Sequence, residues 1–201
     1  MAAASQPEMH FFFPTVIQVV NLPDAEALNA KLTAAIKQLR DEYKDQGSDP
    51  WSEFFTTYKS QNRLYELPGF RDLMSHIQRE ADAFGRVLGL DPAKPLYLTG
   101  CWLNVYGEGH SQDLHVHTGQ VISGCYYVKA PPGVPGLSIF SPFAEEMFDS
   151  QYDEQNGLNA KFIEVPAVAG EMLLFRSWTR HCVRPNRTKD ERISIAFNFT
   201  V

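Results

Sequence analysis

Residues 192–199, Arg-Ile-Ser-Ile-Ala-Phe-Asn-Phe, alternate two kinds of side chain. Ile193, Ile195, Phe197 and Phe199 are strongly apolar, whereas Arg192, Ser194, Ala196 and Asn198 are polar or small. Successive side chains of a strand point to opposite faces. This stretch must therefore press one face on an apolar core and turn the other, with its arginine, toward a polar space. Few folds offer a strand both surroundings at once.

The rest of the chain narrows the choice. From residue 96 onward the sequence reads as short strands: 96–106, 114–118, 121–129, 137–140, 161–165, 170–176, 180–184 and 192–201. They are separated by turn residues such as Gly107-Glu-Gly and Ala130-Pro-Pro-Gly-Val-Pro-Gly. Within 96–106, Trp102, Asn104 and Tyr106 share one face, and Cys101, Leu103 and Val105 the other. Before residue 96 the period changes. A strand is predicted over 11–20. A helix of roughly five turns follows from Pro23, with Leu28, Leu32, Ala35, Ile36, Leu39 and Tyr43 as its apolar stripe. A second helix runs from about 68 to 88, its stripe formed by Phe70, Leu73, Met74, Ile77, Ala81, Phe84, Val87 and Leu88. Residues 51–65, with Trp51, Phe54, Phe55 and Tyr58, fit a short helix or a strand equally. The expected fold is α+β and mostly β, a jelly roll of two sheets backed by N-terminal helices. One domain over 1–201 is expected, with 11–95 as support and 96–201 as the core that carries the site.

Composition removes several functions. A net charge of −6 argues against nucleic acid or an anionic membrane as the main partner. Cys101, Cys125 and Cys182 are an odd number without C-x-x-C spacing, so no disulfide framework or structural zinc site is suggested. No stretch has the length of a membrane span and no signal peptide is evident, so an intracellular, cytoplasmic setting is expected.

The chemistry concentrates in four residues. His115 and His117 flank Val116 and share a face if the stretch is extended. His181 lies beyond the strand 170–176, and Arg192 opens the last strand. Two imidazoles from one segment, a third from a distant one, and a nearby cation describe a metal site with one side left open. Open sites of this type suit non-haem Fe(II) chemistry with O2. His110 reads as a loop residue and His76 as an ordinary surface or partly buried one. Trp102 and Trp178 are read as core.

The order Gly170 turn, distal His181 and Arg192-Ile-Ser194 resembles the Fe(II)/2-oxoglutarate-dependent oxygenase superfamily, whose fold is a double-stranded β-helix. A smaller family of 2-oxoglutarate/iron oxygenases with a His-x-His pair is more similar still. It shares Phe13-Pro-Thr-Val, Leu-Pro-Asp-Ala-Glu-Ala-Leu-Asn, the strand Ser123-Gly-Cys-Tyr-Tyr-Val and the Pro185-Asn186 between His181 and Arg192. The resemblance covers about 11–30 and 102–201 and is weak over 45–95. It implies that His115, His117 and His181 hold Fe(II). It implies that Arg192, Ser194 and Tyr127 bind the distal carboxylate of 2-oxoglutarate, with Asn104 and Tyr106 lining the co-substrate pocket. The implied reaction consumes O2 and 2-oxoglutarate, releases succinate and CO2, and hydroxylates a small molecule or a protein side chain.

This chain departs from the superfamily's His-x-Asp pair, because His117 stands where the carboxylate does. A three-histidine site can run the same reaction. Alternatively Asp113 supplies a carboxylate, or the site is that of a cupin-like dioxygenase without 2-oxoglutarate. A non-catalytic domain that binds metal and 2-oxoglutarate is a further alternative. The loop 142–160 is a candidate lid, and Cys182, next to His181, a candidate site of oxidation.

Overall fold

The computed structural model describes residues 8–43, 54–147 and 152–201. In chain order the elements are β1 (Ile17–Asn21), α1 (Ala25–Tyr43), β2 (Phe55–Thr56), α2 (Arg71–Val87), β3 (Tyr97–Tyr106), β4 (Gln112–His115) and β5 (Ile122–Lys129). They continue with β6 (Leu137–Phe140), β7 (Phe162–Val165), β8 (Glu171–Arg176), β9 (His181–Val183) and β10 (Arg192–Thr200). The strands form two antiparallel sheets. One has the order β1-β8-β5-β10-β3-β2 and the other β4-β9-β6-β7. The chain is thus mostly β with two long helices, as the periodicity predicts.

β10 sits inside the larger sheet, paired with β3 on one side and β5 on the other. Its odd residues Ile193, Ile195, Phe197 and Phe199 join one apolar cluster with Leu32 and Ile36 of α1 and Leu73, Ile77 and Phe84 of α2. Each such buried side chain contributes about 1.5–3 kcal/mol relative to exposure, as an upper figure. The even residues Arg192, Ser194, Ala196 and Asn198 line a cavity on the opposite face. Cys101, Leu103 and Val105 of β3 follow the core face, and Trp102, Asn104 and Tyr106 the cavity face.

Packing is close where β5 runs between β8 and β10. A Cβ on Gly124 would collide with the Leu173 carbonyl oxygen and the Phe197 ring. Neither can yield cheaply, one being backbone and the other a core ring. Gly124→Ala is expected to destabilise the fold by about 1–3 kcal/mol. A thermal melt checks this, at about 2–4 °C for each kcal/mol in a chain of this size.

Several predicted boundaries move. The first strand is confined to Ile17–Asn21, where β1 pairs with β8. Phe11, Phe12 and Phe13 are 69%, 75% and 89% exposed. Pro14 follows them and Phe13 has a φ of 56°, so this segment cannot extend the ladder. Pro23 precedes the first helix, and Asp24 takes a left-handed φ of 54° to turn the chain into it. The second helix opens as a 3-10 turn, Pro68–Phe70, and Val87 at its end faces solvent instead of the core. Of the ambiguous segment, Phe55–Thr56 form an edge strand and Leu64–Glu66 a 3-10 turn. The end of the first helix near 46–50, and Trp51, lie outside the described residues. In the loop 142–160 the described residues form turns around 142–146 and 157–159. Trp178 is 64% exposed, not core, with the Arg176 guanidinium 4.4 Å from its ring centroid.

Candidate active site

β4 ends at His115, so the extended run predicted through Thr118 stops short of His117. A register irregularity between Gln112 and His115 bends the strand there. The histidines converge by another route. His115 stands directly opposite His181 across the β4–β9 pair, which places both rings on one face. The chain then continues, and the His117 N–H donates to the Ser177 carbonyl at 2.8 Å, which brings its ring back to the same place. Ring centroids are 4.2 Å apart for His115 and His181, 5.0 Å for His117 and His181, and 5.1 Å for His115 and His117. One ligand atom from each lies within 4.8 Å of the others, the one such metal-competent cluster among the described residues.

Hydrogen bonds fix which nitrogen of each ring is free. Nδ1–H of His115 donates to the Asp113 carbonyl at 2.7 Å, and Nδ1–H of His181 to the Thr179 carbonyl at 2.8 Å. His117 Nδ1–H donates to Asn198 Oδ1 at 2.7 Å, the same oxygen that accepts from Ser123 Oγ at 2.7 Å. Ser177 Oγ lies 2.7 Å from Ser123 Oγ and completes the relay. With every Nδ1 acting as donor, every Nε2 keeps its lone pair for a cation, the arrangement that orients histidine ligands in metal sites. Burial holds the rings neutral. It pushes His117 down to about 4 and His181 down to about 3, and lowers His115 as well. Neutral imidazole is the ligand form.

Asn198 and Ser177 are absent from the sequence-based set. Asn198 had a signal, since it shares the Arg192 face of the last strand; Ser177 had none. Asn198→Leu removes the acceptor that holds the His117 ring and is expected to lower Mn(II) affinity about 10–100-fold, by anaerobic titration. Asn198→Asp, which keeps an acceptor, should restore it.

Asp113 is not a member of the cluster; its side chain is exposed and its carbonyl serves His115. His110 accepts the Gly107 N–H at 3.0 Å inside a turn. Cys182 is half-buried, and burial pushes its thiol up, away from the reactive thiolate.

At the other end of the cavity lies Arg192, 2% exposed. Its guanidinium carbon is 4.8 Å from the Tyr106 ring centroid and 4.9 Å from that of Tyr127. Its polar contacts are long: 3.4 Å to Ser194 Oγ and 3.5 Å to the Tyr127 hydroxyl, with Nε unpartnered. Burial raises both tyrosine pKa values, so neither phenol supplies a negative charge at neutral pH. No carboxylate among the described residues pairs with Arg192. A buried cation without an anion costs several kcal/mol, so the site has the electrostatics of a carboxylate receptor.

The strand start is held from behind. Asn186, fully buried, donates to the carbonyls of Tyr106 and Asp190 at 3.1 and 2.8 Å. Glu191 is gripped by Arg40 of α1 through two bonds of 2.9 and 3.0 Å.

The cavity between the two ends has a volume of about 380 Å³. Asn104 lines it, its amide oxygen accepting from Thr56 Oγ1 at 2.7 Å, so its remaining capacity is as a donor. Trp102 is buried, as read from the sequence, and its ring also lines the cavity beside His117. Phe54 stacks on Tyr106 and walls the arginine end.

An antiparallel two-sheet fold with three neutral imidazoles and a carboxylate receptor facing one cavity defines a class of metal-dependent enzyme. Residues 100–198 match the family model described as "Putative 2OG-Fe(II) oxygenase". Three solved structures share the fold. AviO1 from Streptomyces viridochromogenes has a TM-score of 0.64 at 14% identity, covering 94% of this chain and 90% of its own. A Pseudomonas putida prolyl-4-hydroxylase has 0.63 at 17%, covering 92% of each. HygX from Streptomyces hygroscopicus, with nickel and 2-oxoglutarate bound, has 0.54 at 13%, covering 92% and 82%. None of the curated proteins compared with the chain matches it. Residues 100–198 are thus those of a 2-oxoglutarate- and Fe(II)-dependent oxygenase, a family of enzymes that uses Fe(II), 2-oxoglutarate and O2.

Proposed function

We propose that the chain is a single oxygenase domain over 1–201, a double-stranded β-helix backed by α1 and α2, that hydroxylates a small molecule or a protein side chain. The observation that carries this reading is the buried Arg192 guanidinium without an anion. A metal dioxygenase without 2-oxoglutarate has no use for it, and a dicarboxylate reaching from Arg192 to the imidazoles does.

His115, His117 and His181 would hold Fe(II) through Nε2. Arg192 would grip the distal carboxylate of 2-oxoglutarate with its planar fork, and the hydroxyls of Ser194 and Tyr127 would donate to the same group. Tyr106 closes the pocket over the guanidinium, and Asn104 presents N–H groups along the co-substrate's path. With O2, the bound iron and 2-oxoglutarate supply the oxidation, yielding succinate and CO2. The protein's share is position and exclusion of water: the imidazoles are pre-oriented by the Asp113 and Thr179 carbonyls and by Asn198, and the arginine end is dry. Three free cysteines agree with a reducing, cytoplasmic setting, and no helix among the described residues is long and apolar enough to cross a membrane.

Anaerobic titration of the apo-protein with Fe(II) and then 2-oxoglutarate tests the reading. A visible charge-transfer band that needs both is the expected result. Iron binding without a band, at any 2-oxoglutarate concentration, would replace this reading with a three-histidine site of other chemistry.

A further inference from the structure

The metal and co-substrate ends of the cavity account for one length of its lining and leave a third wall unused. That wall is aromatic. The Trp102 ring centroid lies 6.2 Å from that of His117, and Tyr58 meets Trp102 edge-on at 4.9 Å. Trp102 is 8% exposed and Tyr58 48%, so the pair runs from beside the imidazoles out to the cavity mouth. Phe54, Thr56 and Tyr58 all line the cavity, the two-residue spacing of a strand. They come from the edge segment at β2, outside the 100–198 stretch that matches the family model. The metal and carboxylate residues all lie inside that stretch. The wall therefore joins Trp102, inside that stretch, to residues from outside it.

Its chemistry restricts what can rest on it. Among the described residues Arg192 is the one charged side chain of the lining, the histidines being neutral, and no aspartate, glutamate or lysine contributes. A cationic group would gain from the aromatic faces, but once 2-oxoglutarate offsets the divalent metal the cavity keeps the positive charge of Arg192, with no acid on the described lining to compensate it. An anionic group could use that charge only by displacing 2-oxoglutarate from Arg192, and on the platform it would meet the negative faces of the aromatic rings. An uncharged group with C–H bonds suits both: it packs on the indole and phenol faces, while Gln112, Thr118 and Gln120 on the lining offer neutral hydrogen bonds.

We infer that Tyr58 and Trp102 form the substrate platform, and that it takes an uncharged, saturated group, such as an aliphatic ring bearing hydroxyl or amide functions, and holds its C–H bonds beside the imidazoles. This rests on the oxygenase reading above. The two residues set specificity and take no part in holding iron or 2-oxoglutarate.

Three probes of one shape and different charge test it: cyclohexanol, cyclohexylammonium and cyclohexanecarboxylate. Binding is read in two ways. The first is the indole N–H resonance of Trp102 in the metal-free protein, assigned with Trp102→Phe. The second is perturbation of the charge-transfer band in the anaerobic Fe(II)–2-oxoglutarate complex. Cyclohexanol should shift both signals, and in the Fe(II)–2-oxoglutarate complex, where Arg192 is occupied, each charged probe should bind at least about tenfold more weakly. Tyr58→Ala should weaken cyclohexanol about tenfold and leave the band itself in place, whereas Tyr58→Phe should bind as wild type does. Equal binding of either charged probe to that complex, no response to cyclohexanol, or an unchanged affinity in Tyr58→Ala would each overturn the inference. If the band never forms, the oxygenase reading fails, and the metal-free resonance still decides whether the platform exists.

Discussion

Arg192→Met is expected to lose 2-oxoglutarate affinity by about two to three orders of magnitude and to keep its metal affinity. The loss follows from removing one partner of a desolvated, bidentate charge pair, which costs about 2–5 kcal/mol. The stability effect should run the other way. In the ligand-free protein the guanidinium is buried with no anion, and its nearest polar partners stand at 3.4 and 3.5 Å. Two aromatic faces offset part of that cost but do not replace a carboxylate. The variant without ligand should therefore melt at or above the wild-type temperature, Mn(II) should raise both melting points, and 2-oxoglutarate added on top of Mn(II) should raise that of the wild type alone. Differential scanning calorimetry with and without the two ligands reads both effects. A variant that melts well below wild type when ligand-free would show that Arg192 is structural.

His181→Ala should abolish Fe(II) binding, a loss of at least about 100-fold by anaerobic calorimetric titration, since an open site with three protein ligands drops to two. His117→Asp should behave differently. It brings a carboxylate to a set of three neutral ligands, and the Asn198 amide can rotate to donate where it now accepts from His117. Metal affinity in this variant is expected to equal or exceed the wild-type value. Loss of iron in both variants alike would show that the geometry of His117, and not its charge, is what the cation requires.

The parts of the molecule that were legible in the sequence are those governed by period. The two-faced last strand announced both the core and the cavity, because alternation survives wherever a strand is paired on both sides, as β10 is with β3 and β5. Helix stripes were legible for the same reason, except at Val87, where the last turn leaves the sheet behind. The His-x-His pair was found for a reason that holds only in part. His115 is placed by the ladder, but His117 lies past the end of β4 and is positioned by a backbone bond to Ser177, far along the chain. The relay through Ser123, Ser177 and Asn198 joins three segments with no local pattern in common. The edge segment at 54–58 stayed ambiguous because two paired residues are too few to impose a visible period. Its pairing with Asn104 and Val105 decides its conformation. The triple phenylalanine misled, since β-propensity at Phe11–Phe13 meets no partner strand and is cut by Pro14.

Placing core and cavity on alternate residues of one strand ties the evolution of the two together. A single-residue insertion or deletion within 192–199 would exchange Ile193, Ile195, Phe197 and Phe199 for Arg192, Ser194, Ala196 and Asn198. The charge would enter the oil and the hydrophobes would flood the active site in one step. A length change in β10 is thus expected to cost fold and site together, whereas the edge strand β2 sits at the end of the sheet and can be rewritten without touching that register.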